Sequence, residues 1–269
     1  MTELTLMITR KQFKNPIASL FAVGLSIAIG LGATSGARAD EEDAKNLLKA
    51  MSDYVSGQDI ISYDFDATLG IVTNEGQRLQ LASSGSVSLN RPNQIRATRA
   101  GGHSNIEMLF DGKILTLYGD NANLYTQIEM AGTIEDMANE LRDTYDRPLP
   151  AADLILPNSY DLLMADVTDI KDLGSGVVQG VECDYLAFRK DSLDLQIWIA
   201  QGDQPYPCRY VVTSRDIPNS PQYSFQIRNW KTGDDVAAQD FSFANSTNAE
   251  KVSVSDLKGM SDLPDHFKR

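Results

Sequence analysis

"SYDFDATLGIVT", residues 62–73, puts Tyr63, Phe65, Ala67, Leu69 and Ile71 at every second position, with Asp64, Asp66 and Thr68 between them. Successive side chains of a strand point to opposite faces, so this period of two predicts a strand with one apolar and one wetted face. "NEG" at 74–76 supplies a tight turn. Residues 77–89 then return with Leu79, Leu81, Val87 and Leu89 in phase, as in an antiparallel hairpin.

The alternation continues outward from this hairpin. "NRPNQ" (90–94) reads as a turn and "IRATRA" (95–100) as a third strand. Residues 105–111 and 113–118 form a hairpin around Asp111-Gly112, a strong turn signal, and carry Ile106, Met108 and Phe110 on one face. Residues 123–130 add another strand. Strands resume near 167 and are clearest at 178–188, 193–200, 207–214 and 222–230. Leu193, Leu195, Ile197 and Ile199 alternate there, as do Tyr223, Phe225 and Ile227. "DFSFA" (240–244) is expected to be a short last strand. Sequential hairpins of this kind predict an antiparallel sheet.

Two stretches follow a helical period instead. Residues 42–56 place Ala44, Leu47, Leu48, Met51, Tyr54 and Val55 on one stripe. "GTIEDMANELRDTY" (132–145) does the same with Ile134, Met137, Ala138 and Leu141, capped by Thr133 with Asp136 and stopped by Pro148 and Pro150. "PAADLIL" (150–156) and "SYDLLMAD" (159–166) read as short helical pieces. The fold class is therefore α+β, mostly β: a leading helix, an antiparallel sheet and a helical insert in one domain.

The N-terminal residues have the plan of a secretory signal peptide. Arg10, Lys11 and Lys14 precede an apolar run at 17–33, and "ARAD" follows with small residues at Ala37 and Ala39. Cleavage is expected after Ala39, giving a signal at 1–39, a single periplasmic domain at 40–269 and no stable membrane span after signal removal. The chain carries 24 basic against 37 acidic residues, net −13. Such a charge repels phosphate backbones and anionic membranes, so nucleic-acid binding is not expected.

An exported chain can keep a disulfide. If 178–188, 193–200 and 207–214 form a meander, Cys183 and Cys208 flank its middle strand with Cα atoms about 10 Å apart. That exceeds the roughly 7 Å limit for bridging, unless a bulge closes the gap. The pairing stays open at this point.

Catalytic signals are weak. No G-x-S-x-G is present. "SDLK" (255–258) fits S-x-x-K without its companion motifs. Glu182 and Asp184 share a strand face but read as a solvated strand end. The two histidines, His103 and His266, lie far apart in polar segments, so no metal or cofactor is expected.

The order of features, with "RPNQIR" (91–96), "FDGKILTLY" (110–118) and the helical insert, resembles the LolA-like superfamily of periplasmic lipoprotein carriers. The stretch 183–230, from "CDYLAFRK" to "SFQIRNW", resembles more closely a family of predicted periplasmic proteins of unknown function within it. The resemblance implies a curved half-barrel of about eleven strands, helices plugging its concave face, and acyl chains held between. It also implies an arginine that holds a closed lid by bonding to helical backbone, and Arg96 takes that place in "RPNQIR".

A sheet this wide with few helices has difficulty covering its apolar face, and its hollow suits an apolar ligand. The expected function is non-enzymatic binding or carriage of lipid or lipoprotein acyl chains, with the insert as lid. The alternative is an envelope sensor that binds an envelope protein. The expected lining is Tyr63, Phe65 and Leu69 from the first strand, Leu81 from the second, Met108 and Phe110, Leu195 and Ile197, and Phe225.

Overall fold

The computed structural model describes residues 36–73, 75–145 and 147–254. Residues 1–35, most of the expected signal, and 255–269, with "SDLK", are outside the described residues, while the expected cleavage point after Ala39 falls within the first helix. Helix α1 (Gly36–Ser56) leads into β1 (Ile60–Val72). A meander follows: β2 (Arg78–Asn90), β3 (Gln94–Gly101), β4 (Asn105–Phe110), β5 (Ile114–Gly119) and β6 (Leu124–Glu129). The insert holds α2 (Ile134–Asp143), a 3-10 turn (Ala152–Leu154) and α3 (Ser159–Met164). A second meander comprises β7 (Asp169–Val178), β8 (Val181–Arg189), β9 (Leu193–Ala200), β10 (Pro207–Ser214) and β11 (Gln222–Thr232), and β12 (Glu250–Lys251) comes last.

All these strands join one open, curved sheet in the order β12-β6-β5-β4-β3-β2-β1-β11-β10-β9-β8-β7. β1 lies in the middle, paired antiparallel with β2 and β11. One wing is β2–β6 and the other β7–β11. This order dictates where the helices go. The chain leaves β6 near one edge and must begin β7 at the far edge, so the insert crosses the full width of the sheet. Its apolar stripe (Ile134, Met137, Ala138 and Leu141, all buried) settles on the apolar, concave face. The expected capping box forms: Thr133 Oγ1 accepts from the Asp136 N–H at 3.1 Å, and Asp136 Oδ2 accepts from the Thr133 N–H at 2.8 Å.

The tail after β11 makes the return journey on the convex face. "DFSFA" is no strand: it runs across β-strands whose backbone groups are already paired. Phe243 packs on Tyr118 and Tyr125, with ring centroids 5.8 and 4.9 Å apart. Only then do Glu250 and Lys251 add β12, parallel to β6. Among the described residues the sheet thus has eleven longer strands and a two-residue twelfth.

Register divides the concave face of the first wing into rows. Ile61, Leu89, Ile95, Phe110 and Leu115 lie side by side, and each is at most 3% exposed. The next row is Tyr63, Val87, Ala97, Met108 and Leu117, and the third is Phe65, Gly85, Arg99, Ile106 and Gly119. The second wing carries α1, which packs against β7, β9 and α3. Ala44, Leu48, Met51 and Val55 of α1 are fully buried at i, i+4, i+7 and i+11. A buried hydroxyl pair ties α1 to α3: Ser52 Oγ accepts from Ser159 Oγ at 2.7 Å and from the Tyr160 N–H at 3.1 Å.

Candidate functional site

The two wings are covered differently. In the second, Leu186, Phe188, Leu195, Ile197 and Ile199 are all at most 4% exposed beneath the helices. In the first, α2 and the chain around the 3-10 turn stand off the sheet and leave an apolar cavity of about 230 Å³. Its floor is the second and third rows of the sheet. Its roof is Ile134 and Ala138 of α2 with Leu149, Ala151, Ile155 and Leu156.

An aromatic seam separates the hollow from the packed wing. Phe65 stacks on Phe225 at 4.7 Å, and Tyr63 stacks on Trp230 at 5.6 Å, which stacks in turn on Tyr206 at 5.3 Å. Burial raises the Tyr63 phenol far above its ordinary pKa, so it stays neutral. Gly85 is required where Phe65 crosses β2, because a Cβ there would overlap the Thr98 carbonyl oxygen and fall 2.6 Å from the Phe65 ring.

Of the residues expected to line a ligand site, Tyr63, Phe65, Met108 and Phe225 line this cavity. Phe110 lies one row deeper in solid core, and Leu195 and Ile197 belong to the packed wing. Leu69 and Leu81 face each other in register further along β1 and β2 and do not line it. Alternation identifies the concave face but cannot say which part of it the helices fill. The roof residues escaped the sequence because the insert's apolar stripe reads equally well as ordinary core.

Arg96 points to the convex face. It pairs with Glu107 at 2.6 Å and donates to the backbone carbonyl of Asp240 in the tail at 3.3 Å. Its parity, opposite to Ile95 and Ala97, precludes contact with the insert. The arginine that does bond to helical backbone is Arg91, in the β2–β3 turn. Its Nε donates to the Gln58 carbonyl at 2.9 Å, and its Nη2 to the carbonyls of Val55 at 3.3 Å and Ile155 at 2.7 Å. A cation on the last carbonyls of α1 also meets the negative end of the helix dipole.

A second polar tie joins the insert to the other wing. Tyr210 Oη donates to Asp153 Oδ2 at 2.8 Å. Loss of water raises the Asp153 carboxyl above its ordinary range, against the lowering effect of that hydrogen bond.

Cys183 and Cys208 are buried with their sulfurs 2.9 Å apart as free thiols. The plain meander would have separated them. The register shifts between Pro207 and Arg209, so Cys208 is the extra residue of a bulge that folds over Ala200, the partner of Cys183.

No helix among the described residues is long and apolar enough to cross a membrane. Similar folds occur in solved structures. The Mycobacterium tuberculosis lipoprotein LppX is 13% identical, with TM-score 0.36 over 71% of this chain and 96% of that one. LprF from Mycobacterium bovis is 12% identical, with TM-score 0.42 over 70% and 93%. The Pseudomonas aeruginosa MucA/MucB complex is 14% identical, with TM-score 0.40 over 74% and 59%. At such identities and TM-scores the likeness carries no argument about what this chain binds. No curated protein sequence matches the chain. Residues 44–255 match the family described as "Predicted periplasmic protein (DUF2092)", and the chain belongs to that family.

Proposed function

We propose that this periplasmic protein is a non-enzymatic binder that holds an acyl chain of a lipid or lipoprotein between its sheet and its insert. One observation carries the reading: the insert leaves a cavity of about 230 Å³ over one wing while the other wing is packed solid. The cavity's walls are aliphatic and aromatic, which favours a hydrocarbon over a polar substrate. Arg91 acts as the clasp that keeps α1 and the insert closed on the sheet. Organic extraction of protein purified from the periplasm, followed by mass spectrometry of the extract, tests this. A stoichiometric acyl-chain compound is expected. Protein that yields none, and that takes up no acyl chain when offered one, contradicts it.

A second reading, docking of an envelope protein, is favoured by β7. It is one of the sheet's two edge strands and exposes Leu173 (45%) and Val177 (69%), as a surface for strand addition would. Capture of a defined envelope segment, weakened by Val177→Lys, distinguishes it from the first.

A further inference from the structure

We propose that the cavity selects a single-chain amphiphile with an anionic head, and that Arg99 is the residue that binds the head. This rests on the acyl-binding reading and specifies the ligand class of that same site.

Arg99 is the one charged residue among the described residues that line the cavity. It sits on the concave face, where the pattern of β3 calls for an apolar side chain: Ile95, Ala97 and Arg99 share that face. A break in an otherwise consistent pattern is where function is expected to override packing. In register, Arg99 lies between Gly85 and Ile106, in the row beyond Met108. Polarity therefore changes along the cavity. Ile95 and Ile134 close one end, Ala97 and Met108 line the middle, and Arg99 with Ser83 marks the other end. From Ile95 to Arg99 the floor runs about 13 Å at the rise of a strand. That is the plan of a site for a hydrocarbon tail with a polar head at one end.

The sign of the head follows from Arg99 itself. A guanidinium offers five N–H donors in a fixed fork, matched to a carboxylate or phosphate, and can take such a group while retaining a protein partner. The surrounding protein is strongly acidic, net −13. Its long-range field disfavours anions, so an anionic head needs a local cation, and an apolar wall strengthens that pairing by excluding water. The plain alternative is an arginine whose stem covers apolar floor while its head reaches water.

Titration calorimetry with decanoate, decyl phosphate and decanol separates these. Wild type is expected to bind at least one of the two anions tenfold or more tighter than decanol, and the tighter one names the head. Arg99→Gln should lose that preference with decanol affinity unchanged, and Arg99→Lys should retain part of it. Equal wild-type affinity for all three ligands, or an undiminished preference in a folded Arg99→Gln, overturns the head-group assignment and leaves the acyl-binding reading standing. If wild type binds none of the three, both fall. Circular dichroism and a melting curve of each variant establish that it is folded.

Discussion

Arg91 Nη2 lies 2.7 Å from the carbonyl oxygen of Ile155, and the same guanidinium reaches the carbonyls of Val55 and Gln58. One side chain in the β2–β3 turn thus fastens the end of α1 and the roof of the cavity to the sheet. Arg91 is half-buried, and loss of water lowers its pKa below the ordinary guanidinium value, but an arginine side chain stays charged in a protein at neutral pH. Hydrogen bonds from a charged donor contribute about 1.5–3 kcal/mol each at most, and removal strands the acceptors. Arg91→Ala should therefore cost about 2–3 kcal/mol in urea unfolding and speed release of a bound acyl probe. Arg96→Ala should cost under about 1 kcal/mol, because the Arg96–Glu107 pair is part-exposed. Equal effects of the two would refute the clasp.

The uneven filling of the concave face predicts a division of phenotypes. Ala138→Phe and Ala97→Leu add bulk at positions that border the cavity. They should abolish acyl binding while changing stability by no more than about 1–2 kcal/mol, since there is room to accept them. Ile197→Ala, at 1% exposure in the packed wing, should lose about 2–5 kcal/mol and keep its affinity for as long as it is folded. Binding isotherms beside denaturation curves read both.

Two buried thiols in contact, in an exported protein, are expected to oxidise. The bridge would close a loop of 25 residues, a constraint of roughly 3–4 kcal/mol on the unfolded chain. Periplasmic protein should show no free thiol under denaturing titration, and dithiothreitol should lower its melting temperature. Two titratable thiols in such protein would contradict the bridge.

Asp153 has a pH signature. Its folded pKa is raised above the ordinary 3.8, so the folded state holds its proton more tightly than the unfolded chain does. The stability this contributes is complete below the unfolded value and is lost as pH rises through the folded one. Asp153→Asn removes the titration and keeps an acceptor for Tyr210. Its stability relative to wild type should rise between about pH 4 and neutrality. A difference independent of pH would show that Asp153 is not shifted.

The sequence made the strands legible because period-two alternation is written into each of them: 193–200 and 207–214 coincide with β9 and β10. Thr133 and Asp136 announced the start of α2 by local chemistry alone. What failed were matters of long range. "DFSFA" alternates like a strand, but every neighbouring strand edge was taken. Arg96 and Arg91 both belong to "RPNQIR", and only the three-dimensional parity of β3 puts the first outside and leaves the second to reach Ile155. The Cys pair turned on one bulge residue. The cavity turned on how far α2 stands from Met108, a distance no pattern of residues encodes.

Native mass spectrometry of wild type and Ala138→Phe, both purified from the periplasm without detergent, tests the central claim most directly. The account predicts a wild-type mass that exceeds the mature chain by one acyl-chain ligand, released on collisional activation, and a variant at the bare chain mass. Wild type at the bare chain mass, with no gain when a single-chain amphiphile is added, would contradict it.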